Sequence, residues 1–305
     1  MKYKLPILLL LLITLMGCKS NKSVLDSDSF ENAPVFVNIV LHYEESFQQT
    51  KSYFFQQRNK LIALSRFLRD EGITLNLQPD WAFMAAVNSF EDVQMRIETN
   101  GMNILRYIKE DLNHEIDPHA HEHGYNYADV AAMIDQLGVT PSHIVGGLIV
   151  DPPEDSKYDY LLNPIEASKF DYTWQAEWLW GDATASHVND TPASGIWRPK
   201  DKYHFYEHDD NGPLPCIGKY TNDLDGVYDL VQRLESGTLE TGKMYTAAIF
   251  IGQGKVQEMH DLLKAEMGTL KGYVTTGQLQ FVSLQEAGPI WEMEYGSEGY
   301  LYIQE

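Results

Sequence analysis

The chain has 305 residues, of which 44% are hydrophobic and 22% are charged, and its formal net charge is −21. This length can bury a sizeable core as one large domain or two small ones, and the composition is that of a folded protein. The negative charge excludes a nucleic-acid partner, because nothing in the composition offsets repulsion by phosphate.

The N-terminus has the pattern of an export signal. Lys2 and Lys4 precede the apolar run Leu5–Leu15, which is shorter than a typical membrane-spanning helix. The sequence Leu15-Met16-Gly17-Cys18 resembles the lipobox of bacterial lipoproteins, which implies removal of residues 1–17 and lipid on Cys18. A plain signal peptide or an uncleaved anchor is the alternative. The lipobox predicts a cell-envelope lipoprotein, facing the periplasm or on the outer membrane, whose only membrane contact is the lipid.

Cysteine use and the next residues fit this organisation. If Cys18 carries lipid, Cys216 has no partner in the chain, so neither a disulfide framework nor a cysteine-based zinc site can form. Residues 18–33 are polar and are predicted to form a lipidated, flexible tether. Residues 34–305 are predicted to form a single domain, with an aromatic-rich insert at about 151–215.

Strand-like and helix-like segments alternate along this domain. The predicted strands are Val35–Tyr43, Ile73–Leu77, His114–Ile116, His143–Val150, Gly195–Trp197, Met244–Ile251 and Leu279–Leu284. The predicted helices are Phe47–Glu71, Phe90–Glu110, Tyr127–Leu137, Leu224–Leu234 and Val256–Met267, and the tail Ile290–Ile303 is predicted to form a β-hairpin. The alternation predicts an α/β fold with a parallel barrel. A doubly wound open sheet is the alternative, although the glycine-rich turn of a dinucleotide site is absent after the first strand.

Polar residues follow several of the predicted strands, at the end where parallel α/β folds place their chemistry. Glu44 and Glu45 follow the first strand, Asp80 and Trp81 follow the second, and Trp197-Arg198-Pro199 closes another. The third strand leads into the segment HEIDPHAHEHG, residues 114–124. These positions predict one functional face.

The histidines of this segment are candidate metal ligands. His119 and His123 are spaced i, i+4 and would converge on one ion if the chain turns helically, in which case His121 would face away. A carboxylate from a neighbouring strand would complete a site with open positions for water. A solvated polar loop without metal is the alternative interpretation.

Three segments carry a family resemblance: Leu41–Glu45, His114–His123 and Trp197–Pro199. They resemble, in order and rough spacing, three motifs of the polysaccharide deacetylase (NodB-like, carbohydrate esterase 4) superfamily. These are Thr-Phe-Asp-Asp after the first strand, His-x-x-x-His introduced by His-Glu-Ile-Gly, and Arg-x-Pro. The resemblance covers about residues 34–286 and implies a distorted (β/α)7 barrel of the glycoside hydrolase/deacetylase type.

The resemblance also implies roles for individual residues. Glu45, His119 and His123 would bind one divalent ion, zinc or another transition metal. Glu44 would be the general base, and Arg198 would orient Glu44 or the substrate. The substrate-contacting residues are predicted to be Asp80, Trp81 and Trp197. The implied reaction removes N- or O-linked acetyl groups from a polysaccharide or oligosaccharide, with water activated by the ion.

Two departures leave other functions open. Both family aspartates are replaced by glutamates, and the late strand Tyr245–Gly252 lacks the histidine that family members carry as the general acid. A catalytically inactive carbohydrate-binding lipoprotein on the same barrel is therefore the first alternative, and a periplasmic metal-binding lipoprotein is the second. The aromatic residues of the insert suit either a sugar-binding cleft or a core of their own.

Overall fold

The computed structural model describes residues 33–44, 50–121, 124–184 and 189–304. Cys18, Glu45 and His123 lie outside these ranges, so their proposed roles stay predictions. Within the described residues, no helix is both long enough and apolar enough to cross a membrane.

Strands and helices alternate through most of the described chain. The strands are β1 Val35–Tyr43, β2 Leu75–Pro79, β3 Glu115–Ile116, β4 Ile144–Gly146, β5 Ile149–Asp151, β6 Ile165–Glu166, β7 Thr173–Trp174, β8 Trp178–Trp180, β9 Ala183–Thr184, β10 Ala193–Ser194, β11 Ile196–Trp197, β12 Cys216–Ile217, β13 Tyr245–Gly252, β14 Leu279–Phe281 and β15 Tyr302–Ile303. The α-helices are α1 Lys51–Asp70, α2 Trp81–Phe90, α3 Val93–Arg96, α4 Ile104–Arg106, α5 Tyr127–Gln136, α6 Tyr158–Leu161, α7 Leu224–Glu235, α8 Val256–Thr275 and α9 Leu284–Glu294. Three 3-10 helices span Ile97–Thr99, Pro153–Asp155 and Gln253–Lys255, and a π-helix spans Tyr107–Asp111.

A parallel five-stranded sheet forms the centre of the fold. All nine residues of β1 are buried, as its run of valine, isoleucine and phenylalanine predicts for a strand covered on both faces. β1 pairs with β13 along almost its whole length, with β14 near its start and with β2 near its end. β3 then pairs with β2, and every pairing in this sheet is parallel.

A second sheet has the order β11-β12-β8-β4, in which β4, β8 and β12 are parallel and β11 is antiparallel to β12. Backbone hydrogen bonds join it to the central sheet at both flanks. The Ser142 amide donates to the Ile116 carbonyl at 3.2 Å, and the Ala248 amide donates to the Lys219 carbonyl at 2.9 Å. The α/β class with a parallel sheet is confirmed, and the closed barrel stays a prediction.

The predicted helix Phe90–Glu110 is wrong. The structure instead has α2 before it and a series of short helices within it. The cause is local capping, because the side chains of Asp80, Asp92 and Asn103 each accept a backbone N–H and start a new helix. Asn100 has a positive φ of 56° and ends the intervening 3-10 turn.

The predicted C-terminal β-hairpin is also wrong. Ser283 and Glu286 form a capping box that starts α9 within this region. Only β15 at the end is extended, and it pairs antiparallel with β10 rather than with a neighbouring segment of the tail. The Ser-x-x-Glu spacing was visible in the sequence as a helix start.

His114 connects β2 to α1 from inside the core. Its Nδ1 accepts the Leu75 amide at 3.0 Å, so its Nε2 donates to the Ser65 carbonyl at 2.8 Å. Burial lowers the pKa of His114 to about 4, compared with 6.5 for an ordinary histidine. The folded protein therefore holds a neutral imidazole that the unfolded chain would protonate.

This difference gives an expected pH dependence of stability. The contribution of His114 is fully present above pH 6.5 and is lost as pH falls toward 4, because the unfolded state takes up the proton first. Between pH 6.5 and pH 4, the free energy of unfolding should fall by roughly 3 kcal/mol more in the wild type than in His114→Gln, because glutamine takes up no proton. Urea denaturation of both proteins at several pH values measures this, and parallel declines would contradict it.

Candidate metal centre

The carboxyl ends of β1, β2 and β3 meet at one edge of the central sheet. His42 lies opposite Gln78 of β2 and Gly252 of β13. Beyond β3 the chain keeps pairing with β2, since the His119 amide donates to the Pro79 carbonyl at 3.3 Å. The histidine segment therefore lies beside the end of β1, at the edge where parallel α/β folds carry their sites.

Four side chains converge at this edge. Oε2 of Glu44 lies 2.6 Å from Nε2 of His119 and 2.5 Å from Nε2 of His121, and the two nitrogens are 2.9 Å apart. Nδ1 of His42 is 3.8 Å from the same oxygen. His42, Glu44 and His119 each offer one ligand atom, and these atoms lie within 4.8 Å of one another. We call His42, Glu44, His119 and His121 the histidine cluster.

Neighbouring acceptors fix the tautomers of two of these histidines. A carbonyl oxygen only accepts, so the contact of 3.0 Å between His119 Nδ1 and the Gly146 carbonyl places a proton on Nδ1. His42 Nε2 likewise donates to Oε1 of Gln78 at 2.7 Å. In the neutral rings, the nitrogens that face Glu44 therefore carry lone pairs. Orientation of a ligand imidazole by an outer acceptor is typical of metal sites.

The charges in the cluster favour a bound cation. Burial raises the pKa of Glu44, but its contacts with the His119 and His121 rings outweigh burial and hold this pKa far below its usual range, so the carboxylate is ionised. Burial, reinforced by His119, holds the pKa of His42 well below its usual value, so His42 is neutral. Imidazole nitrogens with a carboxylate oxygen form a donor set that suits zinc and other divalent transition metals. The residues present fit such an ion.

His121 differs from its expected position. The i, i+4 spacing assumed a helical turn in which His121 faces away, but in the structure His121 contacts both Glu44 and His119. Residues 117–121 form no helix, and Pro118 favours an extended entry. In extended chain, residues two apart share a face. His42-x-Glu44 and His119-x-His121 both have this spacing, which could have identified the cluster.

Two glycines allow the close approach of β4 to the histidine cluster. A Cβ on Gly147 would lie 2.5 Å from Cε1 of His119, and one on Gly146 would lie 1.8 Å from Oε1 of Gln78. Both distances are shorter than real Cβ contacts allow. The segment following β4 therefore packs directly on the groups that orient the candidate ligands.

We expect Gly147→Ala to weaken binding of a divalent ion by displacing the His119 ring. Gly72→Ala is a matched control, because Gly72 has a φ of +75° against +76° for Gly147 but no atom within 4 Å of an added Cβ. Both variants bear a similar backbone strain of about 1 kcal/mol, and only Gly147→Ala should lose metal affinity. Zinc titration of the two proteins measures this, and equal affinities would contradict it.

Asp80 and Trp81 lie at the start of α2, beside the cluster. Oδ1 of Asp80 accepts the amides of Ala82 and Phe83 at 2.8 and 3.0 Å. Burial raises the pKa of Asp80 to about 7, and the negative charge of Glu44 also raises it. Trp81 is half-buried and stacks on Tyr125, with ring centroids 4.8 Å apart and planes at 6°.

Trp197 and Arg198 are placed differently from their expected roles. Trp197 is fully buried and donates its Nε1–H to the Phe205 carbonyl, so it packs in the core and cannot contact a substrate in this structure. Nη1 of Arg198 donates to the Gly212 carbonyl at 3.1 Å, and the guanidinium lies 5.5 Å from the Trp291 ring centre. These contacts join Arg198 to α9 and the loop after β11 rather than to Glu44.

Other aromatic residues of the insert pack inward as well. Trp174, Trp180 and Phe205 are buried, whereas Tyr203 is 61% exposed. Cys216 is a buried free thiol, as its isolation in the sequence predicts. For Trp174 and Phe205, the interpretation as a core is the correct one, whereas Trp180 also lines a pocket.

Comparisons with known proteins show similarity of fold. No family model and no curated protein matches the chain. Among solved structures it is similar to Puue allantoinase, with a TM-score of 0.50 and 9% identity over 88% of this chain and 92% of that one. A probable polysaccharide deacetylase from Pseudomonas aeruginosa PAO1 aligns with a TM-score of 0.47 and 10% identity, over 86% and 92% of the two chains. A 4-alpha-glucanotransferase from Thermococcus litoralis aligns with a TM-score of 0.46 and 9% identity, over 88% of this chain and 40% of that one. At these identities the likeness to the allantoinase shows the fold alone.

Proposed function

We propose that this chain is a metal-dependent hydrolase that removes N- or O-linked acetyl groups from a polysaccharide, on a distorted (β/α)7 barrel held at the cell envelope by lipid on Cys18. The observation that carries this proposal is the convergence of Glu44, His119 and His121 at the carboxyl edge of the parallel sheet. A divalent ion bound at this edge would support hydrolysis, because such ions activate water and polarise acyl carbonyls.

The ligand set that we propose differs from the one implied by the family resemblance. Glu44, His119 and His121 would hold the ion, with His42 beside them as a further nitrogen ligand. Glu44 suits a ligand better than a general base, because its contacts with two imidazoles hold its pKa far below its usual range and so make it a weak base. Glu45 and His123 stay predictions as additional ligands.

Asp80 is the group that we assign to proton transfer. When bound, the ion would lower the pKa of a water molecule and polarise the acyl carbonyl. Oδ1 of Asp80 is engaged by two amides of α2, whereas Oδ2 is not used in those bonds. A carboxyl with a pKa of about 7 exchanges a proton readily at neutral pH. Asp80 Oδ2 would take a proton from the attacking water and return it to the leaving group.

The stacked pair of Trp81 and Tyr125 supports a carbohydrate substrate. Both rings are only partly buried, and Trp81 directly follows Asp80 in the chain. The Lys169 ammonium lies 5.9 Å from the Tyr125 ring centre. Sugar rings present C–H faces that pack on flat aromatic surfaces, and partly exposed rings tolerate a wet cleft. The stack would hold the sugar that carries the acetyl group.

Acetate release tests the proposal. The full chain, loaded with zinc, would be incubated with N-acetylated chitooligosaccharides and with O-acetylated xylan, and acetate would be measured with and without a chelator. We expect release from at least one substrate and its loss on chelation. Bound zinc without acetate release, together with oligosaccharide binding, would reject the hydrolase in favour of the inactive carbohydrate-binding alternative.

A further inference from the structure

A second pocket adjoins the histidine cluster through His42. Its cavity volume is about 20 Å³, room for a group the size of a water molecule or an ammonium. It lies between the ends of β8, β12 and β13, where it is lined by His42, Trp180, Asp182, Lys219, Asn222 and Phe250 among others. The His42 ring contacts the Trp180 and Phe250 rings edge-on, with centroids 5.9 and 4.6 Å away. One face of His42 therefore belongs to the candidate metal centre and the other to this pocket.

Asp182 is the unusual group in the pocket. Its residue is only 3% exposed, and neither carboxyl oxygen has a hydrogen-bond partner of good geometry within the described residues. Burial raises the pKa of Asp182 to about 6, although the nearby Tyr206 hydroxyl and Lys219 lower it in part. A buried carboxyl without satisfied oxygens costs stability unless a ligand supplies donors.

The ammonium of Lys219 lies near Asp182 but forms its ion pair with another carboxylate. The Lys219 ammonium is 2.8 Å from Oδ2 of Asp190, and both side chains are largely buried, so this lysine is already paired. The charge of Asp190 also raises the pKa of Asp182. Within the described residues, the pairing of Lys219 with Asp190 leaves the carboxyl of Asp182 without an ion-pair partner.

The apolar walls suit a small organic cation. The rings of Trp180 and Phe250 lie 6.4 Å apart and face the same pocket as Asp182. Aromatic rings attract ammonium groups through their negative faces, and the attraction grows when water is excluded. A carboxylate beside two aromatic rings is the arrangement expected for an ammonium site, whereas a sugar hydroxyl gains little from the rings.

We propose that this pocket binds a primary ammonium group of an amino sugar, with Asp182 as the accepting residue. The inference rests on the proposed function to the extent that the amino sugar belongs to the carbohydrate on which the histidine cluster acts. Asp182 would then select chains that carry free amino groups next to the acetylated unit, or retain the amine that deacetylation releases. It is a specificity-determining residue and takes no part in hydrolysis itself.

Binding of D-glucosamine, with D-glucose as the neutral comparison, tests this inference. We expect calorimetry on the full chain at neutral pH to show glucosamine bound at least about tenfold more tightly than glucose. Asp182→Asn should remove that preference. Asp129→Asn is the control, since Asp129 is a buried carboxylate whose oxygens accept from Ser168 and the Lys169 amide. The control should keep the preference.

The outcomes separate this inference from the proposed function. Equal binding of the two sugars by the wild-type chain, or an undiminished preference in Asp182→Asn, would overturn the inference. If Asp182→Asn does not fold, the wild-type comparison still decides. A glucosamine preference in a chain that binds no zinc would reject the proposed function and leave this inference standing. The preference should also survive in His119→Ala, which lacks a candidate metal ligand.

Discussion

His119→Ala is expected to abolish binding of a divalent ion, with a loss of affinity of at least about 100-fold. Nε2 of His119 lies 2.6 Å from Glu44 and 2.9 Å from His121, so its removal breaks the centre of the cluster. The effect should be large because the Gly146 carbonyl already holds this ring in the tautomer that a metal requires. Metal content by mass spectrometry and affinity by competition with a chromogenic chelator measure the loss.

His204→Ala serves as the control for this substitution. His204 is an exposed histidine whose Nδ1 contacts Asp201 at 2.8 Å, in the loop between β11 and β12. Removing it should leave metal content unchanged. An equal loss in both variants, or full metal content in His119→Ala, would show that the histidine cluster is not the binding site.

Asp80→Asn is expected to lower the turnover number for acetate release by about 10²–10⁴-fold while leaving zinc affinity nearly unchanged. Asparagine caps a helix about as well as aspartate, so α2 should keep its start at Trp81. Only the ability of Oδ2 to take up a proton is removed. Initial rates at saturating substrate, with zinc titration of the same preparation, separate this effect from a loss of metal.

Asp92→Asn is a matched control, because Asp92 caps α3 through the Met95 amide but is exposed and pairs with Lys51. It should retain wild-type turnover. Unchanged turnover in Asp80→Asn would remove Asp80 from the mechanism. A parallel fall in turnover and metal content would assign Asp80 to the metal site instead.

The sequence predicts the fold correctly where a local residue pattern is compatible with only one kind of secondary structure and burial. The β-branched run of β1 can be buried only as an interior strand, and its bounds, Val35–Tyr43, agree with the structure. The region of α2 to α4 was mispredicted because several aspartate and asparagine caps compete there. Hydrophobic spacing alone does not reveal which cap starts a helix.

The sequence predicted where the candidate site lies, but not all of the residues that form it. The sequence identified His119 and the strand-end carboxylates, since both follow predicted strands. His42 and His121 were missed because their roles depend on the extended conformation after β3 and on the register of β1 with β2. The unpartnered carboxyl of Asp182 has no sequence signature, because only packing shows that its oxygens lack donors.

Crystallographic location of bound zinc by anomalous scattering tests the central claim most directly. We expect one peak at the carboxyl edge of the sheet, about 2.0–2.2 Å from Oε2 of Glu44 and Nε2 of His119, with His121 also bound. A zinc-soaked crystal without a peak there, or with zinc held away from Glu44 and His119, would contradict the metal centre and the hydrolase proposed from it.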